Sequence, residues 1–365
     1  MLLEKLKYII LALIVLNIPE ALLNLVSPAL GSIVSYAVFL LLIAYYVQSE
    51  KGRPNMWMLY IGLTYYLISS IQTTWPFKEF VIISLKFIIV VICGNEVVKK
   101  VTAKDLFIFY ILGALSVIIH AVFFPDDYGR YSGLYFNPNT GGFIAIIAFS
   151  LTFALKNKPL KTLGTLFSSF GGLLTFSRTF IILWLVTNLI SLKISLKNAR
   201  LLVFGIVSVI FIIIFAETLQ VNTIRLKQFE AYINNDTSTA NELKTDSRTE
   251  TWSMYFNDIY ENPFYGKGFA SFQGRPGSAG VHNSFLLIIG EAGIIPFLLF
   301  VSLIIYLLFW SVRLFKLAPH LILITIGLTA VLMADHGFFY YYNFCLLAMW
   351  LQHQISTLKS GLLNT

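Results

Sequence analysis

Long apolar runs separated by short polar breaks dominate the hydrophobic pattern of this chain. A membrane-spanning helix needs about 20 largely apolar residues, and cutting the runs at charged, Pro, Gly and Asn positions gives twelve such segments. The predicted spans are 8–24, 30–48, 56–73, 79–97, 104–124, 140–156, 160–176, 178–194, 199–216, 283–309, 318–334 and 337–353. The pattern therefore predicts an all-α polytopic integral membrane protein with about twelve transmembrane helices.

The composition excludes a soluble globular protein. Of the 365 residues, 57% are hydrophobic and 12% are charged, against about 25% charged in an ordinary soluble domain. The net charge of +8 does not predict nucleic-acid binding, because the cations lie between apolar runs and not on one solvated face. Cys93 and Cys345 both lie within apolar runs, which favours packing roles over a disulfide framework or a metal site.

The distribution of cations predicts the orientation of the chain. Lys and Arg are retained on the cytoplasmic side of short loops. With the N-terminus inside, the inner connections carry most of the cations, whereas the short outer connections carry only Lys78, Arg130 and Arg178. A miscounted span would invert this pattern from that point onward, and no inversion occurs. Both termini are therefore predicted to lie in the cytoplasm.

The spans divide the chain into three predicted parts. Residues 1–216 contain spans 1 to 9 with a short outer loop at 125–139, residues 217–282 form a long outer loop, and residues 283–365 contain spans 10 to 12. The long outer loop therefore lies between spans 9 and 10.

Two stretches of the long loop have distinct patterns. Residues 248–261 place Trp252, Tyr255, Phe256 and Ile259 at helical spacing, which predicts an amphipathic helix at the outer membrane interface. Residues 263–280 are rich in Gly and are expected to be irregular.

Ionisable groups within or beside the membrane are candidates for function, because they are costly there unless paired or hydrated. Arg178 lies at the tip of a tight outer hairpin, where it either snorkels to lipid phosphate or points into the protein. Lys86 lies on the order of 10 Å inside its span, where it either snorkels outward or lines a cavity that holds an anion. Several cations at one outer cavity would suit a phosphate or diphosphate.

Two further groups have a chemical and a structural interpretation. His282 enters a span at the outer surface, where it acts either as a general base or as a capping residue. Glu291 lies between Gly290 and Gly293, which favours close helix contact and a structural role. The Asp335-His336 pair also lies among the apolar runs and receives no role.

Metal and cofactor chemistry receive little support. Asp126 and Asp127 resemble a carboxylate pair for a divalent cation, but adjacent carboxylates in a turn more often contact only solvent. The chain has no Walker phosphate loop, Rossmann glycine pattern or zinc HExxH motif. No metal, cofactor or ATP hydrolysis is therefore predicted.

Four segments together resemble the bacterial O-antigen polymerases and the related O-antigen ligases. They are RYSGLYFNPNTGG (130–142), LLTFSRTF (173–180), SRTETWSMYFNDIYENPFYGKGFASF (247–272) and VHNSFLLIIGEAGIIPF (281–297). Each motif alone is weak, whereas their order, their membrane side and the long loop before the His-Asn segment are fairly specific.

The resemblance implies a bacterial inner-membrane enzyme with its active site facing the periplasm. Such enzymes transfer an oligosaccharide from undecaprenyl diphosphate to an acceptor, inverting the anomeric carbon without ATP or an essential metal. By this resemblance, Arg178 and Arg248 hold the diphosphate, and His282 orients or deprotonates the acceptor hydroxyl. Arg130 and Asn283 would also bind substrate. Lys86 is added to that set from its depth in the membrane alone.

The acceptor distinguishes the alternatives within this family. A polymerase extends lipid-linked repeat units, whereas a ligase transfers the glycan to lipid A core. Aromatic residues of the outer segments suit stacking on sugars and favour polymerase: Tyr128, Tyr131, Tyr135, Phe136, Tyr255, Tyr260, Tyr265 and Phe269. Polymerases of other surface polymers, and a lipid-linked sugar transporter or flippase, remain open. Expected partners are the undecaprenyl-diphosphate-linked oligosaccharide, the bilayer, a chain-length regulator protein and a flippase, with no nucleic acid.

Overall fold

A computed structural model describes residues 2–125, 129–215, 248–274 and 280–363. These described residues form fifteen α-helices and four short 3₁₀ segments, with no strand among them. Asp126, Asp127, Tyr128 and most of the predicted long loop (216–247 and 275–279) lie outside the described residues. The helices are α1 Leu2–Val15, α2 Ile18–Leu25, α3 Pro28–Gln48, α4 Met56–Ser69, α5 Phe77–Lys99, α6 Ala103–Phe123, α7 Pro138–Leu151, α8 Lys158–Leu174, α9 Arg178–Ile194, α10 Ala199–Ile214, α11 Arg248–Glu261, α12 Ser284–Ala292, α13 Ile294–Arg313, α14 Pro319–Leu332 and α15 Tyr342–Leu363.

The all-helical prediction is confirmed, with two predicted spans divided by a break. The first becomes α1 and α2, bent by 54° at Asn17, whose φ of 54° is left-handed. Pro19 then lies in the first turn of α2, where its missing N–H leaves no helical bond unmade. The tenth is divided at Gly293, whose φ of 76° separates α12 from α13.

Several helices are long and apolar enough to cross a membrane. Among the described residues these are α3, α5, α6, α13 and the stretch Leu196–Ile214, and the bent α1–α2 pair is a sixth candidate. Three shorter apolar helices are α4, Pro138–Ala154 and α14. The described residues are thus all helical with several candidate membrane spans, as expected of a polytopic membrane protein, while the count of twelve spans and the three-part division stay predictions.

The described residues form two compact units. In the first unit, residues 2–38, 101–215 and 310–331, helices α6, α7 and α8 pack around one another. Every residue of α7 from Thr140 to Leu151 is buried, in keeping with a helix that is apolar on all sides. Gly172 of α8 faces the Phe180 ring at a distance that leaves no room for a Cβ, so small residues permit this close packing.

The second unit comprises residues 39–100, 248–309 and 332–363. Helices α5 and α15 form its largest helix contact, and α4 packs against α5 and α12. The segment 263–273, which follows α11, lies on the connection between α4 and α5. Its Phe269 N–H donates to the carbonyl of Ser69 (2.9 Å), and the Thr73 hydroxyl donates to the carbonyl of Phe269 (3.2 Å). A loop segment is thereby fixed to the ends of two helices.

Fusions to a phosphatase that is active only outside the cytoplasm test the predicted topology. Fusion after Asn137 is expected to give high phosphatase activity, and fusions after Asn157 and Asn198 are expected to give background activity. The reason is the placement of the Lys-rich connections inside. Equal activity at Asn137 and Asn157 would contradict the predicted span between them, and immunoblots of each fusion control for expression.

Candidate active site

His282 lies in a short loop immediately before α12. The residue has access to solvent although its imidazole is partly buried, and its φ of 44° is left-handed, a conformation that few residues with a side chain adopt. The next residue, Asn283, caps α12: its Oδ1 accepts hydrogen bonds from the backbone N–H groups of Phe285 (2.9 Å) and Leu286 (3.2 Å). The imidazole is thus accessible at the start of a capped helix.

Arg248 connects the start of α11 to this loop. Its Nη1 donates hydrogen bonds to the backbone carbonyls of Ala334 and of His282, the latter at 3.4 Å. A guanidinium carries five N–H donors in a fixed plane. Arg248 therefore joins three separate parts of the chain through main-chain oxygens.

A second histidine, His336, lies beside His282. Their ring centroids are 5.0 Å apart with planes inclined by 57°. The backbone carbonyl of the neighbouring Asp335 accepts a hydrogen bond from the Ser284 hydroxyl (2.8 Å). The Oδ1 of Asp335 accepts a hydrogen bond from the N–H of Gly337 (2.6 Å). From the sequence alone, no role is predicted for Asp335 and His336. The signal that could have identified them is the presence of an adjacent Asp and His between the last two apolar runs.

The electrostatic surroundings favour a neutral imidazole at His282. Partial burial lowers the pKa of His282 below its ordinary value of 6.5, and the positive charge of Arg248 lowers it further, while Asp335 opposes both. Burial also lowers the pKa of His336, with Asp335 again acting in the opposite direction. A neutral imidazole near pH 7 is the form that can accept a proton.

Arg130 and Arg178 are brought to the same turn in the first unit. The Nε of Arg130 donates to the carbonyl of Thr175 (3.2 Å), and exposed Arg178 begins α9 three residues later. Ser177 caps this helix, since its Oγ accepts the N–H of Phe180 (3.3 Å). A helix N-terminus flanked by two guanidinium groups suits an anionic ligand.

The six predicted site residues therefore form two groups. Arg130 and Arg178 belong to the first compact unit, while Lys86, Arg248, His282 and Asn283 belong to the second. Lys86 is half-buried on α5, with its Nζ 5.3 Å from the centre of the Phe39 ring, a cation–π contact. The roles of all six in binding and catalysis stay predictions.

The aromatic surface predicted for sugar stacking is smaller than expected. Four of its members are buried at 8% exposure or less and pack within the protein: Tyr131, Tyr135, Tyr255 and Phe269. Their interpretation as sugar platforms is wrong, because buried rings serve as core residues and present no face to a sugar. Three other members of the predicted surface are exposed and could still stack on sugars: Phe136, Tyr260 and Tyr265.

Phe272 lies beneath the His282 loop and contacts several parts of the site. Its ring is fully buried, its carbonyl accepts the N–H of Val281 (3.0 Å), and its ring centroid is 4.7 Å from that of Tyr255 on α11. A Cβ at Gly290 would lie 2.2 Å from the Phe272 ring. Gly290 therefore leaves the space that this ring occupies.

No metal centre is evident within the part of the chain that the structure describes. No group of three or more His, Cys, Asp or Glu side chains there is placed to hold an ion.

Comparison with protein families finds a match for the middle of the chain. Residues 163–301 match the family described as O-antigen ligase. The resemblance of this chain to the O-antigen polymerase and ligase family is thereby confirmed. The matched region, less than half of the chain, contains Arg178, Arg248, His282 and Asn283. A search of curated proteins gives no match.

Replacing Gly290 by Ala is expected to destabilise the site. The added methyl group would meet a ring that is buried on all sides, and such overpacking costs roughly 1–3 kcal/mol. We expect a lower midpoint in heating experiments on detergent-solubilised protein, followed by size-exclusion chromatography. Gly361→Ala is the matched control because nothing lies within 4 Å of its Cβ position, and equal midpoints for the two variants would contradict the packing described.

Proposed function

We propose that this chain is an O-antigen polymerase, a glycosyltransferase that joins undecaprenyl-diphosphate-linked oligosaccharide repeat units at the periplasmic face of the inner membrane. The observation that carries the proposal is the exposed His282, held by Arg248 within the region that matches the O-antigen ligase family. A base beside a cation suits transfer from a phosphate-linked donor to a hydroxyl.

The proposed reaction is a single inverting displacement. The acceptor hydroxyl oxygen attacks the anomeric carbon of the donor sugar, and the bond from that carbon to the diphosphate oxygen breaks. The hydroxyl proton passes to the neutral imidazole of His282, whose lowered pKa keeps it available as a base. Because diphosphate is a good leaving group, the reaction requires no covalent intermediate, and the resemblance to the family implies that it needs no metal.

Arginine side chains would stabilise the diphosphate. Charge grows on the leaving diphosphate as the bond breaks, and fixed guanidinium groups stabilise that charge with little reorganisation. Arg248 donates through Nη1 to two carbonyls, and its guanidinium has the charge and planar geometry that suit phosphate oxygens. Arg178 and Arg130, at the turn that begins α9, are proposed to bind the same donor, with Lys86 and Asn283 as further binding residues.

The acceptor decides between polymerase and ligase. Exposed Tyr260 and Tyr265, next to the segment that packs under the His282 loop, support stacking on the sugars of a second repeat unit. The ligase reaction is the second candidate, and the description of the matching family as O-antigen ligase supports it. Both reactions share the donor and the proposed roles of His282 and the arginines.

Substitution of the proposed residues is expected to reduce turnover with little effect on protein level. Loss of a general base lowers rates by roughly 10²–10⁴-fold, so His282→Ala is expected to fall within that range. Arg178→Ala and Arg248→Ala are expected to lose roughly 10²–10³-fold, with partial recovery in the lysine variants, which keep charge without bidentate geometry. Initial rates of product formation measure these effects, and unchanged rates in all three alanine variants would refute the assignment.

The product formed from defined substrates identifies the acceptor. Purified protein in detergent, with EDTA and no nucleotide, is incubated with undecaprenyl-diphosphate-linked repeat units alone and then with lipid A core added. A ladder of products from the donor alone is expected for a polymerase. A product that requires lipid A core would instead identify a ligase, and no product with any cognate donor would favour a transporter.

A further inference from the structure

Glu291 on α12 is a carboxylate with no exposed surface. Its Oε1 accepts the backbone N–H of Phe272 (3.0 Å), and its Oε2 accepts the Tyr65 hydroxyl and the Nε2 of Gln273 (3.4 Å). A carboxylate removed from water is tolerated only when donors surround it. Because these donors come from α4 and from the 263–273 segment, the carboxylate fixes that segment against two helices.

The same segment holds the loop of His282. Phe272 bonds Glu291 through its N–H and bonds Val281 through its carbonyl, and Val281 directly precedes His282. Gly280, one residue earlier, lies so close to the carbonyl of Gln273 that a Cβ would approach it to 2.8 Å. Two hydrogen bonds in series therefore connect the buried carboxylate to the base of the His282 loop.

Phe272 also contacts the helix that carries Arg248. Its ring packs on Tyr255, which lies two turns into α11 from Arg248. Arg248 in turn donates to the carbonyl of His282. His282 and Arg248 are thus both supported by Phe272, whose own position depends on Glu291.

We propose that Glu291 is a positioning residue of the active site, which holds His282 and Arg248 in place through Phe272. Its effect on turnover rests on the proposed function, whereas its effect on the surroundings of His282 does not. Glu291 touches no reacting atom in this proposal. It acts through the backbone of another residue.

The surroundings of His282 provide a readout that needs no substrate. The charged and titratable groups facing this imidazole are Arg248 from α11, and Asp335 and His336 from the segment before the last helix. If the base of the loop is released, His282 gains solvent and loses the nearby Arg248 charge. Both changes raise its pKa toward the ordinary value of an imidazole.

The experiment compares three variants of the full-length protein in detergent. Glu291→Leu removes the acceptor at similar size, and Glu291→Asp keeps the carboxyl group but shortens its reach. Glu96→Leu is the matched control, because Glu96 is also a buried carboxylate of this unit, paired with Lys99 at 2.7 Å on α5. Size-exclusion profiles establish which variants fold.

The first measurement is the pH dependence of His282 modification by diethyl pyrocarbonate, which reacts with neutral imidazole, followed by mass spectrometry. The midpoint for His282 is expected to move to higher pH in Glu291→Leu and to move less in Glu291→Asp. It is expected to match the wild-type value in Glu96→Leu. A role limited to general stability would lower the folded fraction without moving this midpoint.

The second measurement is turnover of the lipid-linked donor across pH. Misplacement of catalytic groups by about 1 Å can cost on the order of 100-fold, so kcat is expected to fall by up to that factor in Glu291→Leu. The acidic limb of the pH profile is expected to move to higher pH in parallel with the His282 midpoint. Glu96→Leu is expected to have the wild-type kcat and the wild-type position of the acidic limb.

The outcomes separate this inference from the proposed function. Folded Glu291 variants with the wild-type midpoint would overturn the positioning role, whatever the turnover. If Glu291→Leu does not fold, an unmoved midpoint in Glu291→Asp overturns it equally. A moved midpoint in the Glu291 variants, together with a wild-type protein that makes no product, would support the positioning role and refute the proposed reaction.

Discussion

The need to satisfy one buried carboxylate shapes the second unit of this protein. Glu291 is cut off from water, so Tyr65, Phe272 and Gln273 must direct their donors to it. Tyr65 is itself stacked on Phe339, with ring centroids 3.9 Å apart. The segment under His282 and the turn that follows His336 are therefore fixed by the same group, and the cost of leaving any of these donors unmet maintains the arrangement.

The protein divides its proposed functional groups according to their chemistry. In the first unit, Arg130 and Arg178 meet at a capped helix start, a geometry suited to holding a charged phosphate. In the second, His282 lies among Arg248, Asp335 and His336, a geometry suited to moving a proton. Each cluster is held by an arginine that donates to main-chain carbonyls of distant segments and by a helix cap, of which only the cap is set by short-range sequence.

The fold was largely predictable from the sequence, because the period and length of apolar runs determine where helices form in lipid. The bend at Asn17 was harder to predict from the sequence. Asn tolerates a left-handed backbone conformation, but an Asn near a Pro can take several other conformations. His282 and the arginines could be named from motifs. The burial of Tyr131 and Phe269 could not, because an aromatic side chain in a short loop suits a core and a sugar platform equally. The proximity of His336 to His282 and the contacts of Glu291 depend on distant parts of the chain, which no local pattern encodes.

The loop that carries His282 is held almost wholly through main-chain atoms. Arg248 bonds the carbonyls of residues 282 and 334, and Phe272 bonds the N–H of residue 281. Side chains at Val281 and Ala334 therefore contribute little to the hydrogen bonds that fix this geometry. Because both side chains are buried, changes at these positions act on the loop through packing and not through its hydrogen bonds. The contacts that position the imidazole are, in this loop, separable from the identity of the side chains beside it.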